Sequence, residues 1–540
     1  MTIPLGKTWA LGALMAATTA GAQGGGFCDK VKALTADPTV ASAHWGVSVT
    51  TLDGKVLCSV NEAQLFRPAS NNKLFTVAAA LALLGPERRF TTTVVGEGEL
   101  KDGVLQGNLK LVGGGDANFG SHEVPYVEPI KPAKPAPPEP ATIADIEELA
   151  DQVAAKGVRT ITGDVVGDDS YFAWEPYPVG WGIDDLTPGY GAPVSALTIH
   201  DNQIEMDVAP SATWDKPAEV SAHPDVPYYL LTDGTTTIAK EGGQQRTRIR
   251  FERAVGSREV TVTGEIPLDA AVAKSDVAIQ DPAEYAAMAL KLALERRGVK
   301  VGGSPVAEHA AANASGATDN AAAPARVRTL LAAKPGDAEA NGCQLPVFTG
   351  PAPPRLTMLA THSSPTLADD VTFTMKDSQN LHAEILMRNL GVAVGCDYRL
   401  NGGLAIVKAY LTQAGISPAD LVLYDGSGLS GHDLVTPRSL TQLLVYATKQ
   451  KWFDTFKAAL PVGGVDGTLA NRFVAPASPL QGKVFAKTGT LGESRDLSGY
   501  LTAASGQTLV FSVLVDNHPP TTSADRVMMD RIVELIAAQN

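Results

Sequence analysis

Between Lys73 and Gly85 the chain runs Leu74-Phe75-Thr76-Val77-Ala78-Ala79-Ala80-Leu81-Ala82-Leu83-Leu84 without a single charge. Leu74, Val77, Ala78, Leu81 and Leu84 recur at helical spacing, Pro68 suits a helix start, and Gly85-Pro86 stops the run. A helix that is apolar on nearly every side has to be covered all round, so the rest of the chain must be built over this one. At its start stand Ser70 and Lys73, three residues apart and therefore on one helical face. An ammonium in apolar surroundings tends to give up its proton, which makes Lys73 a candidate base for the Ser70 hydroxyl. A place in the first helical turn also favours negative charge developing on Ser70. Ser-x-x-Lys arises by chance about once or twice in a chain of this length, so the pair needs partners elsewhere before it means catalysis.

With 540 residues the chain has room for about two to four domains. Its net charge of -14, with no compensating basic block, argues against nucleic acid as a partner. Residues 1–22 read as a secretory signal peptide: one lysine, an apolar stretch around Trp9 to Ala17, then Ala20-Gly21-Ala22 as the cleavage site. That apolar stretch is too short to span a membrane and no later run approaches the length, so the mature chain is expected without a transmembrane span, secreted across the inner membrane to the periplasm or cell envelope. Cys28, Cys58, Cys343 and Cys396 fit an exported protein and allow three pairings, of which Cys28–Cys58 and Cys343–Cys396 join neighbours along the chain. None has C-x-x-C spacing and the nine histidines are scattered, so neither a metal nor a cofactor is expected. His382-Ala383-Glu384 lacks the following P-C-x-x-C of a deaminase and reads as helix surface or core.

Along the chain, strands 46–51 and 56–60 form a hairpin through Asp53-Gly54, and the Ser70 helix follows. From Arg89 short strands with glycine turns take over. Gly113-Gly114-Gly115 lacks the spacing and the helix of a dinucleotide site. Seven prolines make 124–140 an exposed, semi-rigid loop. A helix over 143–156 precedes further strands to about residue 265, and helices return at 283–297, 365–375, 380–390, 404–414 and 437–448. The alanine-rich segment 310–325 is either a loose insertion or a partial helix. Strands over 484–486, 496–501 and 509–516 and a helix from Ser523 close the chain. The early and late strands are expected to share one antiparallel sheet. The domain reading is a first part over 23–90, a strand-rich insertion over 91–274, and a second part over 275–540.

Two later motifs join Ser70-x-x-Lys73. Ser378-Gln379-Asn380 lies at the mouth of a helix, where a hydroxyl and a carboxamide can cap or reach into a cleft. Lys487-Thr488-Gly489-Thr490 ends a strand, and Gly489 would let a ligand backbone approach. Ser-x-x-Lys, Ser-x-Asn and Lys-Thr-Gly in that order are close to the set of penicillin-binding proteins and class A β-lactamases. With Gly163 to Phe172, Asp425-Gly426-Ser427-Gly428-Leu429-Ser430 and Leu460 to Leu469, nearly the whole mature chain resembles the D-alanyl-D-alanine carboxypeptidase/endopeptidase family, the class C low-molecular-mass penicillin-binding proteins. The long interval between the first two motifs sets it apart from typical β-lactamases.

The resemblance implies an α/β fold of α+β type, a transpeptidase/β-lactamase-like domain whose antiparallel sheet is flanked by helices and interrupted by strand-rich insertions. It implies a serine peptidase acting through an acyl-enzyme on peptidoglycan stem peptides, with β-lactam antibiotics as inhibitors. Ser70 becomes the nucleophile, Lys73 the general base, and Ser378 a proton relay to the leaving amine. Asn380 holds the peptide, Lys487 and Thr488 receive the terminal carboxylate, and the N–H groups of Ser70 and Thr490 form the oxyanion hole. Asp168, beside Asp169, is placed near the amino end of the stem peptide. Asp425 to Ser430 lacks G-x-S-x-G and reads as a glycine-rich loop beside the site. The rival readings are a β-lactamase or esterase of the same fold, which would turn penicillin over, and a catalytically silent cell-wall binding protein, against which the intact Ser70, Lys73 and Lys487 count.

Overall fold

The computed structural model describes residues 25–120, 124–128, 143–239, 247–311, 320–332 and 356–540. Its centre is a five-stranded antiparallel sheet that joins the two ends of the chain, in the order Val484–Leu491, Ser494–Thr502, Thr508–Asp516, His44–Thr51, Val56–Val60. The expected shared sheet is present, with His44 opposite Asp516 and Thr51 opposite Leu509. Alternation along Thr508–Asp516 serves two cores at once. Val510 and Leu514 face the central helix and the Pro437–Ala447 helix, whereas Phe511, Val513 and Val515 face the terminal helices Gly25–Thr35 and Ala524–Gln539. Gly46 has no room for a side chain, since a Cβ would lie 2.5 Å from the Phe66 ring.

The central helix, Lys73–Leu83, is buried along its length except at Ala82, as its uncharged sequence demands. Leu386, Leu390, Leu411 and Leu444 are among the side chains that cover it. Ser70 is not in the helix proper but in a tighter turn before it, Ala69–Asn72, where i→i+3 bonding is common at helix starts. The serine and lysine nevertheless stay on one side.

A second unit departs at Thr91. Its main sheet combines Thr91–Lys101, Val104–Val112, Thr160–Ile161, Val165–Ala173, Lys300–Val301, Pro305–Ala310 and Leu356–Ser363, with helices Ala144–Ala155 and Pro282–Arg296 sharing its core. Two three-stranded sheets between residues 203 and 278 complete it. The return expected at 275 therefore comes later: Tyr285, Ala286 and Leu290 pack in this second core, and Leu356–Ser363 pairs with Thr91–Lys101. Helix Leu367–Lys376 rejoins the first core. Between these strands helix Ala323–Ala332, the end of the alanine-rich segment, crosses back and buries Ala323 and Val327 in the first core.

Cys28 and Cys58 form the expected disulfide, tying the first helix to the hairpin. Residues 1–22, Cys343 of the expected Cys343–Cys396 pair, 129–140 of the proline-rich loop and 312–319 lie outside the described residues. Among the described residues no helix is long and apolar enough to cross a membrane.

Candidate active site

Lys73 is fully buried and its Nζ lies 2.8 Å from Ser70 Oγ, 2.7 Å from Asn380 Oδ1 and 3.0 Å from the Ser427 carbonyl. An ammonium would spend its three protons on these atoms, and a neutral amine would keep two and offer its lone pair to the serine. Burial pulls the Lys73 pKa down to about 7 against the pull of Asp425 and Glu384. Near neutral pH the amine is thus poised to take the Ser70 proton.

The glycine-rich stretch Asp425 to Ser430 braces this pair, as its sequence suggests. Glu384 Oε1 accepts the N–H groups of Gly426 and Ser427 at 2.9 and 2.7 Å, which fixes the Ser427 carbonyl on Lys73. Asp425 accepts from Gly428 N, Ser430 N and Trp181 Nε1, and Asn72 donates to the Asp425 carbonyl. Gly428, at φ +82, lies so close to the Ser70 turn that a Cβ would be 1.7 Å from the Ala69 carbonyl. His382 and Glu384, expected on a helix surface or in a core, are both fully buried.

Lys487 forms the second half. Its Nζ donates to Ser378 Oγ at 2.7 Å and to the Thr488 carbonyl at 3.0 Å. Burial and the neighbouring Lys73 hold it well below the usual lysine range. The strand does not end before Lys487: pairing continues through Lys487 opposite Ser498 to Leu491 opposite Ser494. Gly489 is packed closely on its protein side, where a Cβ would lie 2.8 Å from Asp496 Oδ2 and 2.9 Å from the Pro68 carbonyl. Thr488 Oγ1 donates to Thr468 Oγ1 at 2.7 Å, and Thr490 is exposed with its hydroxyl on the Gly489 carbonyl. Thr468 carries no signal of its own in the sequence beyond its place in the stretch Leu460 to Leu469. Its loop is held by Lys376, which meets Asp466 at 2.7 Å, and by Glu128, which accepts the Gly467 N–H at 2.7 Å. The start of the proline-rich segment therefore reaches the edge of the site.

Ser378, Gln379 and Asn380 form one wall of an open cleft of about 450 Å³, whose other side carries Tyr190, Lys274 and Asp276 from the second unit. The helix cap is Gln379, not Ser378: its Oε1 accepts the Leu381 N–H at 3.1 Å.

Asp168 is not brought to this cluster. It lies in Val165–Ala173 beside Lys110, at 3.5 Å, and Lys110 also meets Glu97 and Glu308. Asp169, one residue on, is engaged by His309 and Ser195. Both carboxylates have partners inside the second unit, and among the acidic side chains there, Asp276 lines the cleft instead.

A serine and a buried lysine on the face of an antiparallel sheet flanked by helices, facing a second serine–lysine pair, define a hydrolase of the transpeptidase/β-lactamase-like fold. Residues 28–326 and 341–539 match the D-Ala-D-Ala carboxypeptidase 3 (S13) family, and the chain belongs to that family of serine D-Ala-D-Ala carboxypeptidases. It is 33% identical over 537 residues to a D-alanyl-D-alanine carboxypeptidase of an Actinomadura species, covering 96% of this chain and 86% of that one. It is 25% identical over 469 residues to D-alanyl-D-alanine carboxypeptidase DacB of Haemophilus influenzae, covering 86% and 83%. The crystal structure of penicillin binding protein 4 from Haemophilus influenzae has the same fold, with a TM-score of 0.73 at 23% identity over 93% of this chain and 98% of that one.

Proposed function

We propose that this chain cleaves the terminal D-alanine from peptidoglycan stem peptides in the cell envelope, with Ser70 as nucleophile and Lys73 as its base. The observation that carries this reading is the buried Lys73 Nζ, 2.8 Å from Ser70 Oγ and tied at 2.7 Å to Asn380. Ser70 Oγ attacks the carbonyl carbon of the penultimate D-alanine as its proton passes to Lys73. The oxyanion forms against the N–H groups of Ser70 and Thr490, and preorganised donors of this kind supply much of such a rate enhancement. The C–N bond then breaks as Ser378, hydrogen-bonded to Lys487, gives its proton to the departing D-alanine amine and is reprotonated by Lys73, which returns to the neutral amine. Water attacks the ester, gives its proton back through Lys73, and frees Ser70.

Asn380 holds the peptide with its amide, and Lys487 with Thr488 receives the terminal carboxylate. Asp168, on a strand of the second unit, is the acidic group near the amino end of the stem peptide, and Asp276 of the same unit lines the cleft. A β-lactam enters by the same attack and stays as an acyl group, since its leaving amine remains tethered. Residues 1–22 direct export to the periplasm and are removed.

Incubation with a peptide ending in D-Ala-D-Ala tests the reading. The wild type releases D-alanine and Ser70→Ala releases none; equal release by both would refute the assignment of the nucleophile. Steady turnover of penicillin with no D-alanine release would favour the β-lactamase reading.

A further inference from the structure

The motif that carries Ser378 and Asn380 hangs between the two units. Ser378 has φ +67, a left-handed conformation that a serine rarely adopts without support. The support comes from Gln379. One end of its side chain caps the Asn380–Leu390 helix, and Nε2 donates to Asp201 Oδ2 at 2.9 Å. Asp201 belongs to the second unit and lies 178 residues earlier in the chain.

Asp201 is delivered by an unusual turn. His200, Asp201 and Asn202 have φ of 49, 54 and 55, left-handed at each position. Asn202 locks that turn: Oδ1 accepts the Ile199 N–H at 3.0 Å, Nδ2 donates to the Pro193 carbonyl at 2.8 Å, and its carbonyl accepts the Ile279 N–H at 2.7 Å. The other oxygen of Asp201 accepts from His382 Nε2 at 3.1 Å, and His382 Nδ1 lies 2.6 Å from Asp370. All three side chains are buried, His382 completely. Burial lowers the His382 pKa, but Asp370 and Asp201 outweigh it and push it up to about 10, so both ring nitrogens donate. Asn380 has its own tie to the second unit, donating Nδ2 to the Tyr190 carbonyl at 3.0 Å. A buried charged chain of this kind is poor value as pure stabilisation, because apolar packing serves as well or better. Its far end is half-exposed Gln379, in the wall of the cleft.

We propose that Asp201, clamped by His382 and Asp370, is a positioning residue through which the second unit holds Gln379 and thereby aims Ser378 at Lys487 and Asn380 at Lys73. The inserted unit is then part of the catalytic apparatus and not only a wall for substrate. This rests on the roles given above to Ser378 and Asn380.

An exchange of partners tests it. In Asp201→Asn the new Oδ1 still accepts from His382, but its amide faces the Gln379 amide, donor against donor. The left-handed turn is kept, since Asn tolerates it as Asp does. In Gln379→Glu the cap to Leu381 survives, but two carboxylates oppose each other. In the double variant, Asp201→Asn with Gln379→Glu, the introduced amide donates to the introduced carboxylate and the bond between the two side chains returns. Single-turnover acylation of the full mature chain by a fluorescent penicillin separates prior binding from the acylation step. Each single variant is expected to slow acylation by about tenfold or more with little change in prior binding, and the double to return within about threefold of wild type.

Singles within about threefold of wild type, or a double no faster than the slower single, would overturn the proposal. If either single loses cooperative unfolding, Gln379→Ser decides the matter, since its hydroxyl can still cap the Leu381 N–H but is too short to reach Asp201. Slow acylation by that folded variant supports the bridge, and wild-type acylation overturns it. A wild type that takes no acyl group would instead overturn the site reading, and this one with it.

Discussion

At the scale of single residues, the proposed catalysis depends on a lysine that is neutral when it works. With the Lys73 pKa held near 7 by burial, the ammonium predominates below that pH and cannot accept the Ser70 proton. Acylation by penicillin should therefore fall as pH drops through about 7 and level off above it, losing about tenfold per pH unit on the acid side. A stopped-flow profile that is flat across this range would contradict the role of Lys73. Lys73→Ala should slow acylation by roughly 10² to 10⁴ without loss of fold, which labelling and thermal unfolding together would check. Gly428 gives a second test from a different direction. Gly428→Ala must displace the Ala69 carbonyl, 1.7 Å from the new Cβ, and with it the Ser70 turn. Misplacement of about 1 Å at a reacting centre costs on the order of 100-fold, so acylation should drop far more than the melting temperature.

At the scale of elements, what local pattern dictates is legible in the sequence and what distant partners dictate is not. The uncharged run after Lys73 announces a buried helix, the Asp53-Gly54 turn announces a hairpin, and i,i+3 spacing places Ser70 beside Lys73. The strand through Lys487 reads as ending there because a Lys-Thr-Gly sequence carries no strand signal of its own. Its extension is set by Ser494–Thr502 alongside it. Helix Pro282–Arg296 is amphipathic and could have packed on either unit; only the observed core shows that it belongs to the second. The neighbour of Asp168 is illegible for a similar reason: an acid within a strand gives no hint that a lysine such as Lys110 stands beside it. Asp201 and Tyr190 escape notice because their contacts with Gln379 and Asn380 span 178 and 190 residues and leave no local trace. The disulfide between Cys28 and Cys58, separated by 30 residues, should stabilise the chain by about 3–4 kcal/mol through the unfolded state. Cys58→Ser should lower the melting temperature accordingly, while an unchanged value would show that the terminal helix contributes little.

At the scale of the whole molecule, the chain leaves its first core at Thr91, builds a second, and returns after Ser363 to complete the cleft. Ser70 and Lys73 come from before this excursion, and Ser378, Asn380 and Lys487 come from after it. Catalysis thus waits on closure of the sheet between His44–Thr51 and Thr508–Asp516. The proposed export has its own test: a chain expressed with residues 1–22 should be recovered from the envelope fraction with Gln23 at its amino terminus, and recovery with residues 1–22 still attached would contradict cleavage after Ala22. The most direct measurement is the intact mass of the purified protein after incubation with penicillin, followed by peptide mapping. One added penicillin is expected, located on Ser70 and absent from Ser70→Ala; no added mass, or an adduct that persists in Ser70→Ala, would contradict the role of Ser70.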